Sequence, residues 1–247
     1  MGLFSEFASR GFIVFAPFHK DKSCKYTETQ DGKPITCEPH KGTERWTEKV
    51  AIRENTLVEL WKEINSFPDH LGHILPSRFD NTHWYMMGHS AGGNDAYLAS
   101  KALGPDKIKA CVLYDGAVME LTGENKVNSD VPLLSVTSTS FVPMMDEMFK
   151  CDIQDIRTKL HAGQKSPFNE WWSCPPMGHM DFCDMPFTDP YICKLFDGHM
   201  SMDPTDLYLL NADLFYSFCN KIDKDQDTKL HIPPKTFERY IDHWMNK

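Results

Sequence analysis

The sequence lacks several features that define whole classes of protein. None of its apolar runs is long enough to cross a bilayer as a helix, so no transmembrane segment is expected. Basic residues are in the minority, with 26 Lys and Arg against 35 Asp and Glu and a net charge of −9, so a nucleic-acid partner is not expected. The eight cysteines have no repeated spacing and predict neither a zinc motif nor a disulfide framework. Internal repeats and low-complexity linkers are also lacking.

The first residues, 1 to 6, lack the basic start and the long apolar core of a signal peptide. No signal peptide is therefore predicted within this chain, and the cellular compartment is left open. The balance of 41% hydrophobic and 25% charged residues is that of an ordinary globular protein. A length of 247 residues fits one α/β domain, predicted here over residues 1–247.

Strand-like and helix-like patterns alternate along the chain. Continuous apolar runs with β-branched residues are typical of strands that are buried on both faces of a parallel sheet. Alternation of such runs with amphipathic segments predicts βαβ units and a mostly parallel sheet flanked by helices. Strands are predicted at 12–17, 84–87, 108–114, 131–137 and 170–174, helices at 46–67, 96–103, 144–161 and 207–222, and a long surface loop at 20–47.

The most informative stretch is the segment 86–94, in which Gly88-His89-Ser90-Ala91-Gly92 follows an apolar run and precedes a helical segment. This is the G-x-S-x-G pattern of a nucleophile elbow, a tight turn from a strand into a helix with serine at its tip. We expect the glycines on either side to be required because larger side chains would collide with neighbouring backbone. The Ala91 N–H, at the start of the helix, is expected to bind an oxyanion.

A nucleophilic serine in this setting needs an orienting acid and then a base further along the chain. Catalytic side chains of open parallel sheets lie just beyond the carboxyl ends of strands. Asp115 directly follows the predicted strand 108–114. The next predicted strand is followed by no acid until Asp146, so Asp115 is the favoured acid.

The base must be chosen from several histidines. His179 follows the short predicted strand 170–174 in a loop, where a base could reach the serine. His161 is predicted at the end of a helix, and His231 and His243 lie in a polar tail. Position therefore favours His179, with His199 as a further downstream histidine.

Five stretches together carry a resemblance to a known family. They are residues 8–14, residues 18–23, Gly88 to Gly93, Asp115 and residues 179–184. In these stretches the chain resembles the platelet-activating-factor acetylhydrolases, the lipoprotein-associated, group VII type of phospholipase A2. The elbow is shared by all α/β-hydrolases, so the blocks near residues 10–23 and 179–187 give the resemblance its specificity.

The resemblance implies an α/β-hydrolase fold with Ser90 as nucleophile, Asp115 as orienting acid and His179 as general base. It also implies hydrolysis of short or oxidised sn-2 acyl chains of glycerophospholipids without calcium, and no metal or cofactor. Side chains beside the nucleophile and the base are expected to contact the substrate, a phospholipid or another small ester: His89, Met177, Met180 and Phe182.

The family carries a second oxyanion donor in a glycine-containing loop that follows an earlier strand. Neither that loop nor the first strands of the sheet has a counterpart in this sequence. The chain is therefore expected to be the C-terminal portion of a hydrolase, with its N-terminal strands missing. Two alternatives are a general carboxylesterase or lipase with another substrate class, and a hydrolase-like binding protein without catalysis.

Methionine is abundant, with 13 residues in the chain. Methionines near the predicted base could line a deformable acyl pocket or simply fill the core. A second apolar group could form a mobile cover or a peripheral lipid-touching surface. Its members are Phe141, Met144, Met145, Met148 and Phe149.

Overall fold

The fold is seen in a computed structural model that describes residues 2–23, 26–38, 44–66, 80–118, 121, 127–150, 152–174, 177–197 and 203–224. A 3₁₀ turn at His179–Phe182 lies between its last strand and a group of C-terminal helices. In chain order the other elements are α1 (Gly2–Ser9), β1 (Tyr26–Glu28), β2 (Pro34–Thr36), α2 (Glu44–Ser66), β3 (Trp84–His89), α3 (Ala91–Leu103), β4 (Ile108–Tyr114), β5 (Leu133–Ser138), α4 (Phe141–Phe149), α5 (Ile153–Ala162), β6 (Asn169–Cys174), α6 (Met185–Thr188), α7 (Pro190–Asp197) and α8 (Pro204–Asp223).

A four-stranded sheet in the order β3-β4-β5-β6 organises the molecule. All three pairings are parallel, and Met87 pairs with Val112 and Val112 with Leu134 in the middle of the sheet. Every residue of β5 is buried and almost every residue of β4 is, as expected for strands covered on both faces. The predicted parallel sheet flanked by helices is thus confirmed.

Two apolar layers cover the two faces of the sheet. On one face, α1 and α8 pack through residues such as Phe7 and Phe215, whose rings meet edge to face at 5.1 Å. On the other face, residues of α3 such as Tyr97 pack with Ile108 and Leu133, and Trp61 of α2 packs against them. No helix in the described part of the chain is long and apolar enough to cross a membrane.

The segment at residues 12–17 is not a strand, contrary to the prediction. Phe12 and Val14 pack against the layer under α8, whereas Phe15 contacts Trp84 in the opposite layer at 5.7 Å. Its side chains therefore alternate between the two layers, but no strand pairs with the segment within the described ranges. An apolar run indicates burial, and a strand additionally requires a hydrogen-bonded neighbour.

Two other elements differ from the sequence prediction. The predicted loop at 20–47 contains the antiparallel hairpin β1–β2. The predicted helix at 144–161 is divided into α4 and α5, because Lys150 adopts a left-handed conformation with φ 52° and ends α4. Asp152 then caps α5, its carboxylate accepting a hydrogen bond from the Asp155 N–H.

A buried group of charges joins the segment before the hairpin to α2 and α3. The Arg53 guanidinium on α2 lies 2.7 Å from the Asp21 carboxylate and 3.3 Å from the Asp95 carboxylate. Asp95 is only 1% exposed. Loss of hydration raises its pKa to about 7, although the charge of Arg53 and its hydrogen bond act in the opposite direction. Asp95 therefore opposes folding when it is ionised.

This group generates a prediction on stability. Because the pKa of Asp95 is raised in the fold, its contribution to stability is fully present below about pH 4 and is lost as the pH rises through about 7. Asp95→Asn cannot ionise. The difference in free energy of unfolding between Asp95→Asn and the parent should therefore depend on pH. We expect it to favour the variant at pH 8 by more than about 1 kcal/mol relative to its value at pH 4.5, measured by urea denaturation.

The matched control is Asp106→Asn, which changes an exposed carboxylate in the turn after α3. It should show no such change with pH. A difference between Asp95→Asn and the parent that stays constant from pH 4.5 to pH 8 would contradict the assignment.

Candidate active site

Ser90 occupies a strained turn between β3 and α3. Its φ of 55° and ψ of −126° are unusual for a residue with a side chain. Its N–H donates to the Tyr114 carbonyl at 3.1 Å, and its own carbonyl accepts from Gly93 and Ala117 at 3.0 and 2.7 Å. The main chain of the turn is thus fixed to the end of β4, which holds the serine hydroxyl beyond the carboxyl ends of the strands.

The glycines of the turn differ in what surrounds them. A Cβ at Gly88 would lie 2.0 Å from the Gly92 carbonyl oxygen, and one at Gly93 would lie 2.6 Å from the Gly116 Cα. Glycine is therefore required at both positions. A Cβ at Gly92 would meet nothing within 4 Å. The expectation of crowding at both motif glycines is thus corrected, because Gly92 faces a cavity.

The structure brings together the three side chains that the sequence suggested for catalysis. The Ser90 Oγ lies 3.1 Å from the His179 Nε2. The His179 Nδ1 lies 3.1 Å from an Asp115 carboxylate oxygen. These distances allow a continuous chain of hydrogen bonds in which Nδ1–H donates to the carboxylate and Nε2 accepts from the hydroxyl.

Asp115 is fully buried at the end of β4, with a positive φ of 44°. Its carboxylate accepts hydrogen bonds from the Ser138 N–H at 2.7 Å and from the Ser138 Oγ at 2.5 Å. These bonds compensate for the lost hydration of the carboxylate and fix its orientation toward the imidazole. The competing acid, Asp146, is exposed on α4 and accepts instead from the Ile153 N–H at 3.4 Å.

His179 is held by its backbone and by its ring. Its N–H donates to the Ser140 Oγ at 3.1 Å, and its carbonyl accepts from the His89 Nε2 at 2.9 Å. Its ring stacks on Phe141 at 4.5 Å with an angle of 12° between the planes. Burial, and secondarily the nearby His179, lowers the pKa of His89 to about 4. His89 is therefore a neutral donor at physiological pH.

Arg157 is a residue of the site that the sequence analysis missed. Its side chain on α5 is 3% exposed and its Nη2 lies 3.9 Å from the Asp115 carboxylate. Its guanidinium carbon also lies 5.0 Å from the centre of the Phe141 ring, the ring that stacks on His179. Loss of hydration lowers the pKa of Arg157 to about 10, so the residue is charged at neutral pH.

The other candidate bases are placed differently. His161 bonds to the Asn169 side chain at 2.5 Å and to the Ser135 hydroxyl at 3.0 Å, and it stacks on Trp171. Burial lowers its pKa to about 4. These contacts join α5 to β5 and β6 and give His161 a structural role. His199, His231 and His243 lie outside the described residues.

Several of the residues that were expected to contact substrate or lipid are buried in the structure. Met177 and Phe182 are 2% and 3% exposed and belong to the core layer under α8. Phe141 and Met145 are likewise buried, so both belong to the core in this structure. Met180 is partly buried, and His89 contacts the backbone of His179. The side chains of Met148 and Phe149 lie outside the described part of the chain.

The first N–H of α3 offers one donor for an oxyanion. Ala91 opens the helix directly after Ser90, and the first N–H groups of a helix have no acceptor within it. Its position directly after Ser90 is the one that the sequence analysis expects for an oxyanion donor. Within the described ranges, no three His, Cys, Asp or Glu side chains converge on a point that could hold a metal ion.

The arrangement can support nucleophilic chemistry. A serine hydroxyl, a histidine within reach of its proton and a buried carboxylate behind the histidine are the parts needed to activate the serine at neutral pH. Comparison of the chain with protein-family models gives no match, and comparison with curated proteins gives none either. The family resemblance seen in the sequence therefore stays a prediction.

Proposed function

We propose that this protein is a serine esterase of the α/β-hydrolase type. The observation that carries the proposal is the hydrogen-bonded series Ser90–His179–Asp115, with the serine on a strained turn at the carboxyl ends of parallel strands. A buried carboxylate without such a role would be an expensive feature of a core, because its hydration is lost on folding.

The reaction follows from this geometry. His179 Nε2 takes the hydroxyl proton as the Ser90 Oγ attacks the ester carbonyl carbon, and the Ala91 N–H binds the oxyanion that forms. The C–O bond to the alcohol breaks, and the proton on Nε2 passes to the departing oxygen. Water, deprotonated by His179, then attacks the acyl carbon. The bond from that carbon to the Ser90 Oγ breaks, the proton passes from Nε2 back to Oγ, and the acid is released. Asp115 holds the imidazole in the required tautomer and stabilises the imidazolium.

The resemblance in sequence supports the finer substrate class, short or oxidised sn-2 acyl chains of glycerophospholipids, hydrolysed without calcium. Two assays separate this class from the alternatives. Turnover of p-nitrophenyl acetate distinguishes an esterase from a binding protein. Comparison of short-chain with long-chain sn-2 phospholipids, in the presence of EGTA, distinguishes a phospholipase of this type from a general carboxylesterase or lipase.

Ser90→Ala should abolish ester hydrolysis and labelling by a fluorophosphonate. Loss of a nucleophile typically lowers the rate by about 10⁴-fold or more. The fold should persist, because the backbone carries the contacts of the turn. Circular dichroism provides the control for folding. Labelling of Ser90→Ala at the rate of the parent would show that another residue is the nucleophile.

Asp115→Asn should reduce kcat by about 10⁴-fold while the Ser138 contacts keep the side chain in place, because an amide favours the wrong tautomer of His179. Asp146→Asn is the matched control, since this carboxylate is exposed on α4 and caps a neighbouring N–H. Steady-state rates of the two variants decide the assignment. A larger loss of rate in Asp146→Asn than in Asp115→Asn would assign the role of orienting acid to Asp146, the first acid after β5.

Arg157→Met should move the acidic limb of the pH profile of kcat/KM to higher pH by roughly 0.5–1 unit. The Arg157 guanidinium and the Asp115 carboxylate attract each other across 3.9 Å, so removal of this cation makes a positive charge beside the carboxylate more favourable. Arg157→Lys keeps the charge and should restore the limb. A lower rate with an unmoved limb in Arg157→Met would indicate a purely structural role.

A further inference from the structure

One residue, Ser138 at the end of β5, bonds to both oxygens of the buried Asp115 carboxylate. Its N–H donates to Oδ1 at 2.7 Å, and its hydroxyl donates to Oδ2 at 2.5 Å. Ser138 is itself buried, so bulk water has little access to either bond. Because a separate donor binds each oxygen, rotation of the carboxylate about its Cβ–Cγ bond is restricted more than one bond alone would restrict it.

The Ser138 hydroxyl shares its acceptor with the imidazole. Oδ2 is also the oxygen of Asp115 that lies 3.1 Å from the His179 Nδ1. An ionised carboxylate oxygen can accept two hydrogen bonds, but each donor draws negative charge from it. The negative charge that Oδ2 presents to the imidazole therefore depends on whether Ser138 donates to it.

The acceptor fixes the direction of the bonds around Ser138. An ionised carboxylate can only accept, so the hydroxyl proton of Ser138 must point to Oδ2. The Ser138 Oγ then accepts from the Phe141 N–H at 3.3 Å, and in its 3.4 Å contact with the Ser140 Oγ it can only be the acceptor. The Ser140 Oγ in turn accepts from the His179 N–H at 3.1 Å.

These contacts close a ring of hydrogen bonds that begins and ends at His179. One path runs from its Nδ1–H directly to the carboxylate Oδ2. The other runs from its backbone N–H through the hydroxyls of Ser140 and Ser138 to the same oxygen. Every donor points toward the carboxylate, so the bonds polarise one another in the same sense. The contact between the two hydroxyls is the longest in the ring, so the effect on Oδ2 comes mainly from Ser138.

Three other charged or titratable groups face this pair. Arg157 on α5 has its Nη2 3.9 Å from Oδ1, the other oxygen of the carboxylate. Burial lowers the pKa of His89 on β3 to about 4, so His89 is a neutral donor to the His179 carbonyl. Asp181 lies in the same turn as His179, and its carboxylate accepts from the Gly178 N–H at 2.8 Å. Ser138 is thus the neutral donor at the oxygen that faces the imidazole.

We propose that Ser138 is a positioning residue, whose hydroxyl both orients Oδ2 toward His179 and withdraws negative charge from it, so that the imidazole remains a free base at lower pH. The orientation keeps Nδ1–H on the carboxylate and leaves Nε2 to accept the Ser90 proton. A smaller negative charge on Oδ2 stabilises the imidazolium less. For catalysis the inference rests on the proposed function, because it extends ester hydrolysis toward acid pH.

The test follows the ring protons of His179 by NMR as the pH is changed, since this signal does not require hydrolysis. Ser138→Ala removes the hydroxyl but keeps the backbone N–H on Oδ1. The midpoint of the His179 titration should move to higher pH by roughly 0.5 unit or more. Ser138→Cys has a thiol, a weaker donor, and should move the midpoint less in the same direction.

The matched control is Ser140→Ala, which removes the hydroxyl bound to the His179 N–H and leaves both bonds from Ser138 to the carboxylate in place. It should move the midpoint by less than half as much as Ser138→Ala. Equal movement in the two alanine variants would overturn the proposal, because it would indicate a general loosening of residues 138–141. A midpoint at the parent's value in both Ser138 variants would also overturn it.

Hydrolysis of p-nitrophenyl acetate is measured in parallel. In Ser138→Ala the acidic limb of kcat/KM should move with the NMR midpoint. The plateau of kcat should fall by only about tenfold, because the Ser138 N–H still holds Oδ1. A moved midpoint in a protein whose parent hydrolyses no ester would support the role of Ser138 and contradict the proposed esterase.

Discussion

The tight turn at Ser90 is the constraint on which the rest of the site depends. A non-glycine residue at positive φ is stable only where its surroundings hold it, and here Tyr114, Gly93 and Ala117 bond to its main chain. The close approach of Gly93 to Gly116 brings the start of α3 against the segment after β4. Main-chain contacts thereby fix Ser90 and the loop that carries Asp115 to each other without help from the side chains of the site.

One short segment, from Ser138 to Phe141, then positions both Asp115 and His179. Ser138 binds the Asp115 carboxylate, Ser140 binds the backbone of His179, and the Phe141 ring stacks on the imidazole. These contacts come from neighbouring residues between the end of β5 and the start of α4. Movement of α4 would therefore disturb Asp115 and His179 together. Arg157 adds a buried positive charge behind them.

Sequence patterns were sufficient where a local signal determines the structure. Sequence patterns located the four strands of the sheet, and the rule that catalytic side chains follow strand ends selected Asp115. The strand predicted at 12–17 failed because apolar character reports burial and not pairing. Arg157 and Ser138 were missed because ordinary residues on α5 and β5 acquire a role only through contacts across the fold. The division between α4 and α5 depended on the left-handed Lys150, for which the sequence gives no strong signal.

The four strands lie in the sheet in the same order as along the chain, and this affects how the sheet assembles. Each of β4, β5 and β6 adds to the edge formed by its immediate predecessor, so the sheet can grow in one direction as the chain leaves the ribosome. No pairing in this sheet has to wait for a strand synthesised much later. Among the described strands, the outer edge of β3 is the first edge made, and none of the later strands pairs with it. During synthesis this edge is therefore the part of the sheet that is exposed longest to pairing with other nascent chains.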